Sequence, residues 1–338
     1  MSSVTSTVDF DADGKHFGLL QIPYSSNTSG WAKICVPVVS IKNGGGRTAL
    51  VLGGNHGDEY EGPIAIQKLA REVSPDQVSG RLILIPCLSP PAAIAGTRLW
   101  PDGANFNRSF PGSPTGRPAE QLAHFLTHEL FPRSEIVIDI HSGGRSMRAY
   151  PMSHMHYVPD PAQRRAMLEG MLAWNTDYHM LYPDVAGTGL LPSEAEAKGK
   201  IVVTTELGGG GYIPASVHRI AEDGLRNVLR HFGILAGRPV TRESLGLPPS
   251  TILSALDQEA YHFSPASGVF ETLVDPGDPV EKGSPVGRLH NLERPDQEPI
   301  VIRAAISGVV CAARAIPITN QGDCVTVIGR PVAKEDLL

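Results

Sequence analysis

The chain has 338 residues, 41% hydrophobic and 19% charged, a balance that supports a sizeable core and excludes extended disorder. Single cores stop growing at roughly 250–300 residues, so a main domain with a smaller one beside it is expected. A formal net charge of −6 argues against a nucleic-acid partner, which would need a basic face against the phosphates, and leaves a small molecule as the better expectation.

The opening MSSVTSTVDFDADGKHF has neither the charged start nor the apolar stretch of a secretory signal, and no apolar run approaches the roughly 20 residues of a membrane span. A cytoplasmic protein without a membrane partner is expected. Cys35, Cys87, Cys311 and Cys324 show no CxxC spacing and read as buried free thiols.

From Ala49 to about Gly237, short β-branched runs alternate with stretches of helical period, the mark of an α/β fold with crossover helices. The first strand expected is Thr48–Leu52, apolar enough to be buried on both faces. It runs straight into VLGGNHGDEYEGP, where Gly53 and Gly54 turn the chain and present His56 and Glu59 at the strand's carboxyl end, the edge at which open α/β sheets bind ligands. An imidazole and a carboxylate at this spacing suit Zn²⁺, although such a pair standing alone is more often a solvated helix end. A helix is expected over Pro63–Val73 and a strand over Arg81–Pro86.

The loop DGANFNRSFPG then centres on Asn107 and Arg108. A guanidinium can grip both oxygens of an α-carboxylate while an amide adds an orienting donor; the plainer reading pairs Arg108 with an acid such as Asp102. After a helix over Ala119–Leu130, the strand Glu135–Ile140 ends in DIHSGG, which puts His141 on the same sheet edge and Asp139 two residues back on the same face. A helix over Pro161–Trp174 follows, then SEAEAKGK, a charged segment with Glu194 and Glu196 beside Lys198 and Lys200. The strand Lys200–Thr205 delivers Glu206 ahead of four glycines that leave room beside it, and a helix over Ala215–Phe232 ends at Gly233. Two histidines and a glutamate leave a fourth zinc position for water, and a further carboxylate nearby can take that water's proton, which makes Glu206 the candidate general base.

Beyond GRPVTRESLGLPPS the helical period disappears and Gly and Pro punctuate short Val/Ile runs, so residues 1–245 are expected as the catalytic domain and 246–338 as a small β-domain. Two stretches there, from SPASGVF and from RAAISGVV, share a pattern resembling the half-repeats of biotinyl- or lipoyl-carrier domains, but the linking HNLERPDQEP lacks the lysine that carriers modify.

In this order, GGNHGDE, NFNRSFPG, DIHSGG and TELGGGG resemble the succinylglutamate desuccinylase/aspartoacylase family of zinc carboxypeptidase-like hydrolases, over nearly the whole chain. The resemblance implies a zinc-carboxypeptidase-like mixed sheet flanked by helices plus a barrel-sandwich-like terminal domain. It further implies one Zn²⁺ held by His56, Glu59 and His141, with Glu206 as the catalytic glutamate and Asn107 with Arg108 as the carboxylate clamp. Arg98, in GTRLWPDG, is the candidate for the family's carbonyl-polarising arginine, set further from Asn107 than in aspartoacylase. The spellings GGNHGDEYEGP and TELGGGG are most similar to the branch that deacetylates Nα-acetyl-L-2,4-diaminobutyrate in ectoine degradation, and the acids of SEAEAKGK suit a substrate with a cationic amine. An N-acyl amino acid is therefore the expected partner, and a homodimer is compatible with the sequence. The competing expectations are aspartoacylase or desuccinylase activity, a zinc carboxypeptidase, and, from another class, a non-catalytic binding or interaction protein.

Overall fold

The computed structural model of the protein describes residues 3–183 and 189–337. Four parallel strands form the middle of the main sheet, in the order Gly80–Ile85, Thr48–Gly53, Ile136–His141, Ile201–Glu206. Alternate side chains enter two cores. Leu50, Leu52, Val137 and Val202 face one core, with Leu122, Phe131 and Met167, whereas Val51, Ile138, Ile140 and Val203 face the other, with Ile66, Leu69, Leu225 and Val228. Burial on both faces is the physical reason these runs lack polar alternation.

The four expected helices lie at Glu61–Glu72, Pro118–Phe125, Pro161–Leu172 and Ala215–His231, close to the expected positions, and two short ones not expected lie at Pro90–Ala95 and Leu191–Ala197. The second ends earlier as an α-helix than expected, because Leu126–Leu130 widens into a π-helical turn. Gly233, with φ of 72°, follows the last helix.

Three features of the sheet were absent from the sequence reading. A long antiparallel hairpin, Gly14–Ser26 with Ser29–Asn43, borders strand Gly80–Ile85. On the other side, Met152–His156 lies antiparallel to Ile201–Glu206 and parallel to Tyr178–Tyr182. The sheet then continues through Thr251–Ser254 into Cys324–Val332. The later strands fall into two similar halves, Gly268–Thr272, Pro279–Val280, Pro285–His290 and Gly308–Arg314, Ile318–Thr319, Cys324–Val332, in which the short strand of each half pairs with the first strand of the other.

No helix among the described residues is long and apolar enough to cross a membrane. All four cysteines are free thiols, but burial was overestimated: Cys311 is buried, Cys87 and Cys324 are half-buried, and Cys35 faces solvent on the long hairpin.

One buried histidine makes stability acid-sensitive. His179 is fully buried with Nδ1 2.7 Å from Ser153 Oγ, and burial, reinforced by the Arg242 charge, pushes its pKa down to about 3. The unfolded chain binds a proton near the ordinary value while the folded chain does not, so its contribution is intact above pH 6.5 and is lost progressively from there down to about 3. Urea unfolding at pH 6.5 and 5.5 is expected to show His179→Gln losing about 1 kcal/mol less than the unsubstituted protein over that unit. Equal losses would contradict the assignment.

Candidate metal and catalytic site

The three middle strands end side by side, and their ends build the site. His141 and Glu206 are the last residues of neighbouring strands and stand directly opposite each other in the register, with Asp139 opposite Thr204 two residues earlier. His56 and Glu59 occupy the short loop between strand Thr48–Gly53 and the helix at Glu61. That loop lies tight against helix Pro90–Ala95: a Cβ on Gly57 would stand 2.2 Å from the Ala92 carbonyl carbon, so only glycine permits the approach.

His56, Glu59 and His141 are buried, and one ligand atom from each lies within 4.8 Å of the others. The Glu59 carboxylate sits between the rings, with Oε1 2.7 Å from His56 Nδ1 and Oε2 2.8 Å from His141 Nδ1. His141 Nε2 is 2.9 Å from Asp139 Oδ2, which also accepts from Asn55 Nδ2 at 2.9 Å. When Nε2–H donates to Asp139, the Nδ1 lone pair points at a carboxylate oxygen, and only a proton or a cation between them makes that contact favourable. The donor set therefore fits a divalent metal that accepts nitrogen and oxygen ligands. Electrostatics agree. Burial acts to raise the Glu59 pKa, yet the two imidazoles hold it well below the usual range. Burial likewise opposes charge on His141, but Asp139 and Glu59 raise its pKa well above the ordinary value, while burial keeps that of His56 low.

Glu206 is partly buried, and burial, followed by the charge of Glu59, lifts its pKa to about 7. A carboxyl poised there can both accept and return a proton near neutrality. Of the four glycines after it, Gly209 is required by close packing. A Cβ on Gly209, whose φ is 112°, would sit 2.7 Å from the Gly143 Cα, so this run and the HSGG turn are pressed together, joined by Gly143 N–H to the Gly208 carbonyl at 3.2 Å.

A cavity of about 160 Å³ joins His56, His141 and Glu206 to Arg98, Asn107 and Arg108, so the expected metal ligands other than Glu59, the expected base and the three expected substrate-facing residues line one space. This is small beside the roughly 300–1,000 Å³ of sites for drug-sized ligands and suits a modified amino acid. Arg98 reaches the site with Nη1 3.2 Å from Glu59 Oε1, and its carbonyl accepts from Gly57 N–H at 3.5 Å. Asn107 Oδ1 accepts from Leu191 N–H at 2.9 Å, leaving the donor end of its amide for a ligand. Arg108 Nη1 donates to the Asn107 carbonyl at 2.7 Å, whereas Asp102, its suggested alternative partner, accepts from Ala104 N–H at 3.1 Å. A larger cavity of about 770 Å³, along the outer side of helix Ala215–His231, includes none of these residues.

Sequence reasoning missed His154, Met180 and Tyr182, which also line the cavity. His154 stands opposite Thr204 in the register and its Nδ1 is 2.6 Å from Thr204 Oγ1, extending the Asp139–Thr204 row by one strand. The alternating histidines of MSHMH were the available signal, an i, i+2 pair on one face of a strand.

The succinylglutamate desuccinylase/aspartoacylase catalytic domain matches residues 45–232. An N-alpha-acetyl-L-2,4-diaminobutyric acid deacetylase of Halomonas elongata is 39% identical over 332 residues, covering 98% of this chain and 96% of that protein. Among solved structures, the product-bound ectoine utilization protein EutE (DoeB) of Ruegeria pomeroyi superposes with a TM-score of 0.93 at 39% identity, covering 98% of this chain and 99% of the other. A succinylglutamate desuccinylase/aspartoacylase of Rhodobacter sphaeroides gives 0.94 at 35% identity, covering 98% and 100%.

Proposed function

Because this chain belongs to the succinylglutamate desuccinylase/aspartoacylase family, we propose that it hydrolyses the amide bond of an N-acyl amino acid, removing the acetyl group of Nα-acetyl-L-2,4-diaminobutyrate as its Halomonas relative does. The observation that carries this reading is the meeting of His56, Glu59 and His141 at the end of the sheet, with Glu206 beside them and Arg98, Asn107 and Arg108 across one small cavity.

Zinc is the metal proposed for the trio, on the strength of its nitrogen and oxygen donors. Bound there, it would supply Lewis acidity that polarises the acyl carbonyl and makes water more acidic. The chain's own groups do the rest. Asp139 fixes the His141 ring through Nε2 at 2.9 Å. Glu206 accepts the proton of the attacking water and returns it to the amine as the C–N bond breaks. Arg98 offers a guanidinium to the developing oxyanion. Asn107 and Arg108 hold the α-carboxylate, which keeps the scissile amide over Glu206. Free thiols throughout support a reducing, cytoplasmic setting.

A hydrolysis panel tests the proposal. The zinc-loaded protein is expected to cleave Nα-acetyl-L-2,4-diaminobutyrate with a kcat/KM about 100-fold above those for N-acetylaspartate, N-succinylglutamate or a short peptide, the discrimination a mispaired buried charge supplies. Preference for either dianionic compound, or for the peptide, would reject the substrate.

A further inference from the structure

The acids that the sequence offered to a cationic substrate do not line the reaction cavity. Glu194 pairs with Lys198 at 3.4 Å, and Glu196, 8% exposed, lies 2.8 Å from Nδ1 of His156; neither borders the space shared by His56, His141 and Glu206. The side chain of Nα-acetyl-L-2,4-diaminobutyrate nevertheless ends in an amine that is protonated at neutral pH, and a buried ammonium needs an acceptor.

His154 offers one. It is 4% exposed and stands opposite Thr204 on the strand next to that of Glu206, on the side away from His141. Thr204 Oγ1 lies 2.6 Å from His154 Nδ1 and 2.8 Å from the His154 backbone carbonyl. A hydroxyl has one proton and a carbonyl can only accept, so the proton goes to the carbonyl and Nδ1–H donates to the hydroxyl oxygen. The reverse assignment would press an oxygen lone pair against the carbonyl at 2.8 Å. The ring is therefore the Nδ1–H tautomer, and Nε2 carries a lone pair. That nitrogen is buried with no hydrogen-bond partner among the described residues. An unmet buried acceptor is costly, and a ligand with a proton to donate would relieve the cost. Burial, followed by the charge of His141, pushes the ring's pKa down to about 3, so the lone pair is not taken up by a proton near neutrality.

With Nδ1 held against the neighbouring strand, the distal edge of the ring, which carries Nε2, is the part left to line the cavity. Its neighbours in the wall are Met180, opposite it in the register, and the ring of Tyr182, at right angles with centroids 4.5 Å apart. A thioether and an imidazole lone pair both accept, so this part of the wall favours a donor over a second carboxylate. The reach is adequate. Neighbouring strands stand about 4.8 Å apart, and an extended diaminobutyrate side chain carries its nitrogen roughly 6 Å from the scissile carbonyl carbon.

We propose, resting on the substrate reading above, that His154 Nε2 accepts a hydrogen bond from the side-chain ammonium of the substrate and so selects a cationic side chain over an anionic one.

The test compares kcat/KM for Nα-acetyl-L-2,4-diaminobutyrate with that for Nα-acetyl-L-norvaline, in which a methyl replaces the ammonium. The unsubstituted protein should favour the cationic compound, and two variants separate the roles of the ring nitrogens. His154→Asn keeps a donor near Nδ1 for Thr204 but loses Nε2, and should lower the ratio about 10- to 100-fold, the range for a hydrogen bond to a charged group. His154→Gln can place an amide oxygen near the position of Nε2 and should retain most of the ratio. An Asn variant that keeps the full preference, or equal losses in the two variants, overturns the assignment of His154 while leaving the deacetylase reading intact. An unsubstituted protein that cleaves neither compound, or prefers a dianionic acyl amino acid, sinks the deacetylase reading and this proposal with it. A crystal of the unsubstituted protein with 2,4-diaminobutyrate decides the matter even if neither variant folds. The side-chain nitrogen should lie within hydrogen-bond distance of His154 Nε2, and its placement against any other group refutes the proposal.

Discussion

Replacing Glu206 by Gln is expected to lower kcat by about 10³-fold or more while the protein keeps one metal ion per chain, because the amide preserves shape and loses only the ability to take a proton. The acid limb of the pH profile should disappear with it. Burial and the Glu59 charge raise the Glu206 pKa to about 7, and a base works only when deprotonated, so activity falls as pH drops through that pKa. A cation at the trio favours the charged carboxylate, which places the limb of the loaded protein below 7. Steady-state rates from pH 5 to 8, with metal content determined on the same samples, check both parts. A Gln variant of near-normal turnover would remove Glu206 from the chemistry.

Glu59→Gln should be at least as damaging through a different failure. Glu59 is the anionic member of the trio and contacts both imidazoles, at 2.7 and 2.8 Å, as well as the Ser142 backbone N–H at 3.2 Å. The amide puts a donor where a ligand oxygen stood. Metal affinity is expected to fall more than 100-fold and hydrolysis to vanish at stoichiometric metal. Asp139→Asn, which reaches the trio only through the far side of His141, should fall in the milder range of about 10- to 100-fold typical of groups that orient a ligand. Competitive titration with a zinc indicator separates the two. Equal metal affinity for Glu59→Gln and the unsubstituted protein would show that Glu59 is not a ligand.

The parts of this molecule that were legible in the sequence share one property: they are apolar runs that stop abruptly at a chemically distinctive residue. IVIDIH and IVVTTE each declare a buried strand and its exit in a single stretch, and their alternation into two cores follows from burial on both faces. Met152–His156 escaped because its cavity-facing positions carry His154 and His156, so the pattern of a core strand is missing where the strand borders a site. The long hairpin Gly14–Ser26 with Ser29–Asn43 escaped for a related reason. Its outer half pairs mainly with itself and is largely exposed, with Tyr24 and Trp31 in solvent, so burial imposes little pattern there. Glu196 was visible as an acid but not as a buried one, because its partner His156 stands 40 residues earlier and only the sheet brings them together.

The most direct measurement is an anomalous-difference map collected at the zinc absorption edge from crystals of the metal-loaded protein. The account predicts one strong peak per chain, coordinated by His56, Glu59 and His141, with Glu206 alongside. A map with no peak among those three side chains, from a sample that hydrolyses its substrate at full rate, would contradict it.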